Sequence, residues 1–249
     1  GLAKSGKIVY VYSIIPFVTM RCFEQVRLDL AYNNTQVRLV GIGAGMTYGP
    51  LGPTHHAYED IAIMRAIPNM KIICPGDPIE TKELVCQTYD MDGPLYIRLA
   101  KNGEPNIHKN SSDIKFGKAV ELNNGNDLIL VTTSNMLETG NIWVEEWKKE
   151  GVNVTLVSMH TIKPLDQKFI EKLISRKLPI ITLEEHNVIG GLGSAVAEII
   201  AESGCTIPFK RIGINDEFSH YVGNHTFQRK KFNLIKKPNL DTLFKKSIL

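Results

Sequence analysis

Two adjacent histidines, His55 and His56, close a glycine-rich stretch that runs from Gly43 to Gly52, and Thr54 precedes them. An imidazole on a loop can move a proton or polarise a carbonyl near neutral pH. Arg98 ends the apolar run Leu95–Leu99 (LYIRL), where a planar guanidinium suits an anion; a salt bridge to a helix carboxylate is the alternative. The pattern Gly41-x-Gly43-x-Gly45 lacks the spacing of a phosphate loop. Gly190-Gly191-Leu192-Gly193-Ser194 follows a strand and opens a helix; an anion could sit there, but a tight turn is the better reading.

These residues need a scaffold, and alternating strand and helix signals supply one. Lys7–Tyr12, Val37–Ile42, Met70–Cys74 and Leu95–Leu99 read as strands. Between them, Thr19–Tyr32 reads as a helix capped by Thr19, and Glu59–Ala66 as part of another. Asp77-Pro78-Ile79-Glu80 opens a third helix, with a capping aspartate, a proline at the first position and a capping-box glutamate. A polar, turn-rich segment from Lys101 to Asp127 reads as a linker. The alternation then restarts, with strands at Leu128–Thr133, Val152–Val157, Pro179–Leu183 and Phe209–Ile214. Helices at Leu137–Glu150, Leu165–Ser175 and Gly193–Ser203 separate them. The expected fold class is α/β, with two mostly parallel-sheet domains, 1–115 and 120–249. Ligands in such sheets bind at the carboxyl ends of the strands, where His55 and Arg98 lie.

Composition narrows the partners. With 249 residues and a net charge of +3, the chain has the size of two ordinary domains and no general affinity for nucleic acid. From Phe209 to Leu249 nine Lys/Arg face three Asp/Glu, which reads as a solvated basic face, with an anionic partner as the alternative. No apolar run approaches the roughly 18 residues of a membrane span, and no signal peptide is evident. Four cysteines without a C-x-x-C pair fit free thiols in a reducing, cytoplasmic setting. The opening Gly1–Gly6 reads as the end of a helix, as if earlier sequence preceded it.

The stretch Gly41–Arg65, GIGAGMTYGPLGPTHHAYEDIAIMR, continuing to Asn69, resembles the pyrimidine-binding domain of transketolases and of deoxyxylulose phosphate synthase. The matching positions are Gly52, Thr54, His55, Glu59 or Asp60, Arg65, Pro68 and Asn69. Ser13–Gln25 and Gly93–Arg98 fit as well, and Glu184–Asn187 with Gly190–Ser194 resemble the Rossmann-like C-terminal domain of that family. The resemblance implies thiamine diphosphate with Mg²⁺, an aromatic wall for the pyrimidine ring from Phe17 and Phe23, and His55 as a catalytic donor to the developing alkoxide. It implies substrate contacts from His55, His56 and Arg98, and sugar substrates exchanging a two-carbon ketol unit. It also implies a diphosphate-binding N-terminal domain or subunit as partner, in a dimer or heterotetramer. The ylid-promoting glutamate and the metal–diphosphate segment of the family would lie upstream of Gly1. Leu51 stands where transketolases have an aspartate, and Gly43 where relatives have a basic or histidine ligand, so substrate recognition is expected to differ and phosphate dependence to weaken. A deoxyxylulose-phosphate-synthase-like enzyme and a non-catalytic assembly or regulatory subunit are the alternatives.

Overall fold

Runs of β-branched and aromatic residues become strands, and the glycine, proline and aspartate clusters between them become turns. The computed structural model describes residues 1–101 and 103–245; Asn102 in the polar segment and residues 246–249 at the end of the basic tail lie outside the described residues. The first half contains β1 (Val9–Ile14), α1 (Ile15–Val18), α2 (Phe23–Gln25) running into a π-helical stretch (Val26–Tyr32), and β2 (Val37–Ile42). Then come a short 3₁₀ turn (Gly49–Leu51), α3 (Asp60–Ala66), β3 (Lys71–Ile73), α4 (Pro78–Thr88) and β4 (Leu95–Leu99). The second half holds β5 (Val120–Asn123), β6 (Leu128–Thr132), α5 (Met136–Lys149), β7 (Val154–Ser158), β8 (Thr161–Lys163) and α6 (Gln167–Ser175). It ends with β9 (Ile180–Asn187), α7 (Leu192–Glu202), β10 (Phe209–Ile214), α8 (His225–Lys231) and α9 (Leu240–Lys245).

Two five-stranded sheets result, in the orders β1-β2-β4-β3-β8 and β10-β9-β6-β7-β5. Pairing is parallel throughout except at β3–β8 and β5–β7. The fold is α/β. Strands β6 and β7 are buried along their whole length, as central strands covered on both faces must be. Helix α5 places Trp143 and Trp147 one turn apart, edge to face at 5.9 Å, against that sheet.

Local chemistry explains where element and expectation part. The helix expected over Thr19–Tyr32 is broken. Pro16 starts a separate one-turn helix, and Thr19 ends it, its hydroxyl donating back to Ile15 O at 2.7 Å instead of capping forward. Asp77 does cap α4, its Oδ1 accepting from Glu80 N at 2.8 Å, while the Glu80 carboxylate turns back to Gly76 N at 2.7 Å. The polar segment after β4 is no loose linker. Asp77 Oδ2 accepts from Ile107 N and His108 N, and Gln87 accepts from Phe116 N.

The halves are joined covalently, by a shared strand and by buried charge. β8 comes from the second half yet forms the edge of the first sheet, and its Lys163 donates to Arg65 O at 2.9 Å and Ile67 O at 2.6 Å, closing the C-terminus of α3. Arg65 in turn donates to Gly190 O at 2.7 Å and pairs with Glu198. At the seam's centre Arg98 Nε meets Asp60 Oδ2 at 2.8 Å with both side chains fully buried, and Arg98 also reaches Ser134 Oγ and Glu185 O of the second half. A second knot gathers Asp77, Glu80 and His108. His108 Nδ1 donates to Asp77 at 3.0 Å, its Nε2 lies 3.3 Å from Glu80, and Ser158 Oγ donates to Glu80 at 2.6 Å. Burial pushes the Glu80 carboxyl up to about 7, more than His108 and the hydrogen bonds pull it down. Burial also works against a charged His108, but the two carboxylates outweigh it and raise its pKa.

Two outcomes follow. Arg98→Met leaves Asp60 charged, buried and without its partner, and is expected to cost about 3–5 kcal/mol in chemical denaturation. Glu80 and His108 both have folded-state pKa values above their unfolded ones. The stability they add is therefore complete at low pH and lost as pH rises through those folded values. Removing this trend, Glu80→Gln should make the change in unfolding free energy from pH 5 to pH 8 more positive than in the unaltered protein by about 1–3 kcal/mol, read from urea titrations at the two pH values.

Candidate functional site

Beyond β2 the chain forms a loop that is tied at both ends. Gly43 N and Ala44 N donate to Leu99 O at 2.9 and 3.0 Å, fastening the loop to the carboxyl end of β4. Gly45 and Ala57 exchange backbone hydrogen bonds of 2.9 and 2.8 Å, so residues 46–56 project as one excursion. Within it His55 N donates to Gly52 O at 3.0 Å, and Thr54 Oγ1 lies 2.9 Å from His55 Nδ1. A Thr54 hydroxyl donating to Nδ1 leaves the hydrogen on Nε2, facing away from the loop's own bonds.

The half-buried His55 ring stands between two aromatic rings. Phe17 meets it edge to face at 5.1 Å and Tyr48 at 6.3 Å. Each of those rings carries a cation, Arg21 at 4.2 Å from the Phe17 centroid and Lys101 at 5.5 Å from that of Tyr48. Next to Lys101 a cavity of about 350 Å³ opens at the carboxyl ends of β2 and β4, walled by Ile42, Leu99 and the Asp77–Pro78 start of α4. This is the place where a parallel sheet receives ligands.

Of the residues singled out in the sequence, the structure brings Phe17 and His55 together. It does not bring the other three. Phe23 is half-buried against the large apolar cluster to which both halves contribute, while Phe17 meets His55; the chain turns between α1 and α2. His56 is 3% exposed and turned inward, next to Tyr58 with Nε2 3.5 Å from Gly49 O, and burial lowers its pKa. Arg98 is wholly buried; its guanidinium is held by Asp60, Ala57 O, Ser134 and Glu185 O, so it has no face for a substrate, and the salt-bridge alternative is the correct one. Tyr48 and Lys101 lie in loops without periodicity, and Arg21 falls within the stretch expected to be helical, so nothing in the sequence pattern marks these three residues. Gly43 has a local cause. With φ at +95°, a side chain there would run into the Tyr48 ring, so the glycine and the tyrosine belong together. Leu51 is 53% exposed, and its aliphatic side chain offers no polar group; only its backbone N donates, to Tyr48 O at 2.9 Å.

The glycine turn before α7 is already filled. Glu184 accepts from Leu192 N and Gly193 N, both at 2.7 Å, so the helix start holds an internal carboxylate where an external anion would sit. Burial raises the Glu184 carboxyl to about 7, against the pull of those two amides. Neighbouring His186 donates from Nδ1 to Asn187 O and accepts at Nε2 from Ala62 N, and burial holds its pKa down at about 4, which keeps it neutral. Among the described residues no group of three or more His, Cys, Asp or Glu side chains is arranged to hold a metal ion. All four cysteines are free, and no described helix is long and apolar enough to cross a membrane.

Residues 1–104 match the profile of the transketolase pyrimidine binding domain and residues 117–231 that of the transketolase C-terminal domain. The chain is 38% identical over 231 residues to one of the subunits of the apulose-4-phosphate transketolase of Actinobacillus succinogenes, covering 92% of this chain and 74% of that one. It is 40% identical over 220 residues to a putative transketolase C-terminal section of Methanocaldococcus jannaschii, covering 88% and 69%. The 1-deoxy-D-xylulose-5-phosphate synthase of Shouchella clausii matches at 34% identity, with 88% of this chain but 35% of that enzyme aligned. A solved split gene transketolase, in an inactive β4 tetramer, superposes with a TM-score of 0.86 at 31% identity, over 94% of this chain and 75% of that one. With both domain profiles in order along the chain and subunit-length relatives at this identity, the chain belongs to the transketolase family and corresponds to its pyrimidine-binding and C-terminal domains.

Proposed function

We propose that this chain is the pyrimidine-side part of a thiamine-diphosphate-dependent transferase that moves a two-carbon ketol unit between sugars. It works with a diphosphate-binding N-terminal domain or subunit, in a dimer or heterotetramer. The observation that carries the reading is His55 in edge-to-face contact with Phe17 and Tyr48, with Lys101 joining the Tyr48 ring to the wall of the strand-end cavity. A half-buried aromatic wall beside an imidazole suits a flat heteroaromatic ring. The donor set suits the rest of the cofactor poorly, because no described cluster fits a cation. Phe17 and the adjoining loop would therefore hold the pyrimidine, and Mg²⁺ and the diphosphate fall to the partner. Bound there, thiamine diphosphate supplies a carbon nucleophile and an electron sink for cleaving the bond next to a ketose carbonyl.

The chain's own contribution is orientation and charge. His55 Nε2–H, left free by the Thr54–Nδ1 contact, donates to the substrate oxygen as negative charge builds on it. The tight packing of Phe17 and Tyr48 around it keeps that donor in place without reorganisation. With Leu51 and Gly43 in place of polar groups, those two positions supply no phosphate ligand, and the nearby cations are Lys101 over Tyr48 and Arg21 over Phe17. Transketolase action is preferred to synthase action because the relatives of which this chain covers 74% and 69% are a subunit and a C-terminal section, against 35% of the synthase. A cytoplasmic setting is part of the same proposal, supported by four free thiols.

Calorimetry with thiamine diphosphate and Mg²⁺ is expected to show no tight binding to this chain alone and clear binding once the N-terminal partner is added; tight binding alone would refute the division of the site. In the assembled enzyme His55→Ala should lower kcat by about 10²–10³-fold with hydroxypyruvate as donor, and an unchanged rate would remove His55 from the mechanism. Phosphorylated ketoses should be only modestly preferred over free ones; strict dependence on the phosphate would contradict the reading of Leu51 and Gly43.

A further inference from the structure

Glu185 stands on β9 in the second half of the chain, yet its carboxylate is bonded to the loop of the first half. Oε1 accepts from Met46 N at 2.8 Å and from His225 Nε2 at 2.7 Å. Oε2 accepts from Asn135 Nδ2 at 2.9 Å, Arg229 Nε at 2.7 Å and Arg229 Nη2. The side chain is completely buried. Burial would raise its pKa, but Arg229, His225 and the bonds outweigh that and hold it well below the usual carboxylate range. A buried charge is a poor way to add stability, since a well-packed apolar group commonly does as well. A carboxylate gives something an apolar group lacks, a fixed acceptor that can hold a backbone N–H at a set distance and direction.

The loop backbone is built around that acceptor. Gly45 has φ at +63°, and a β-carbon placed on it would lie 2.5 Å from the Glu185 carboxyl carbon, so the chain can approach only as glycine. Farther along, a β-carbon on Gly49 would lie 2.6 Å from Gly223 O, in the segment leading into α8. α8 also carries His225 and Arg229, two of the side chains that hold Glu185. One limb of the excursion thus rests on Glu185 and the next on the approach to α8, and His55 is carried between these supports and the Gly45–Ala57 closure.

We propose that Glu185 is a positioning residue for the transfer reaction, fixing the His55 loop through Met46 N from the second domain. This rests on the reading of His55 as donor to the substrate oxygen. The test uses the enzyme assembled with its diphosphate-binding partner, with hydroxypyruvate as donor and ribose as acceptor. Glu185→Gln keeps the size; its amide oxygen stays with the Asn135 and Arg229 donors, and its NH2 group takes the place of the acceptor that held Met46 N. It is expected to lower kcat about 10–100-fold while KM for hydroxypyruvate moves less than about threefold. The double variant with His55→Ala should be no slower than His55→Ala alone, because the two act through one group. Should Glu185→Gln not fold, His225→Gln, at a partly exposed partner, is expected to show the same pattern with a smaller loss. Multiplying losses, or a folded Glu185→Gln with unchanged kcat, would overturn the positioning role alone. Full activity in His55→Ala would overturn the reading of His55, and the positioning role with it.

Discussion

The buried pair between Asp60 and Arg98 is the contact on which both halves of the molecule turn. Arg98 stands on β4, the middle strand of the first sheet, and Asp60 at the start of α3. Two buried charges are costly to desolvate, and the cost is offset only when every remaining lone pair and proton finds a partner. Here Tyr96 donates to Asp60 Oδ2 at 2.6 Å, while Arg98 reaches Ala57 O, Ser134 Oγ and Glu185 O. Those partners lie on the loop, on the turn before α5 and on β9. One guanidinium therefore sets the spacing between loop, first sheet and second sheet, and the position of the histidine is a consequence of that spacing.

This shifts the meaning of the residues that make the family recognisable. Asp60, Arg65 and Asn69 belong to the most specific stretch of the sequence, yet none of them faces the cavity. Asp60 holds Arg98, Arg65 fastens α3 to Gly190 and Glu198, and Asn69 turns the chain at φ +64° while donating to Ala31 O. Their service is architectural. Of the motif residues, His55 is the one whose ring stands in the loop against Phe17 and Tyr48.

The alternation of strands and helices was legible because strand runs such as LILVT and IITLEE are β-branched and buried throughout, and because Asp77 announces α4 with a cap that the structure makes. Thr19 misled for a physical reason. A hydroxyl can bond backward to a carbonyl as readily as forward to an amide, and Pro16 decided which. Which phenylalanine meets His55 was not legible. Phe17 and Phe23 look alike in sequence, and only the break between α1 and α2 sets one against the His55 ring and the other against the core cluster. The partners of Arg98 and Glu185 were illegible, since both networks close across more than 35 residues of chain and leave no local pattern. Lys101 and Tyr48 were hidden likewise, in loops whose spacing obeys no period.

Strand β8 has a consequence for how such a protein can be divided. The two domain profiles end and begin on either side of the polar segment after β4, which suggests a natural place to cut. A cut there would leave Thr161–Lys163 on one product and the β3 edge it covers on the other. The first product would carry a bare row of backbone donors and acceptors, an invitation to pair with other copies. A cut through this segment would thus uncover the β3 edge, so the first sheet depends on a strand that the second half supplies.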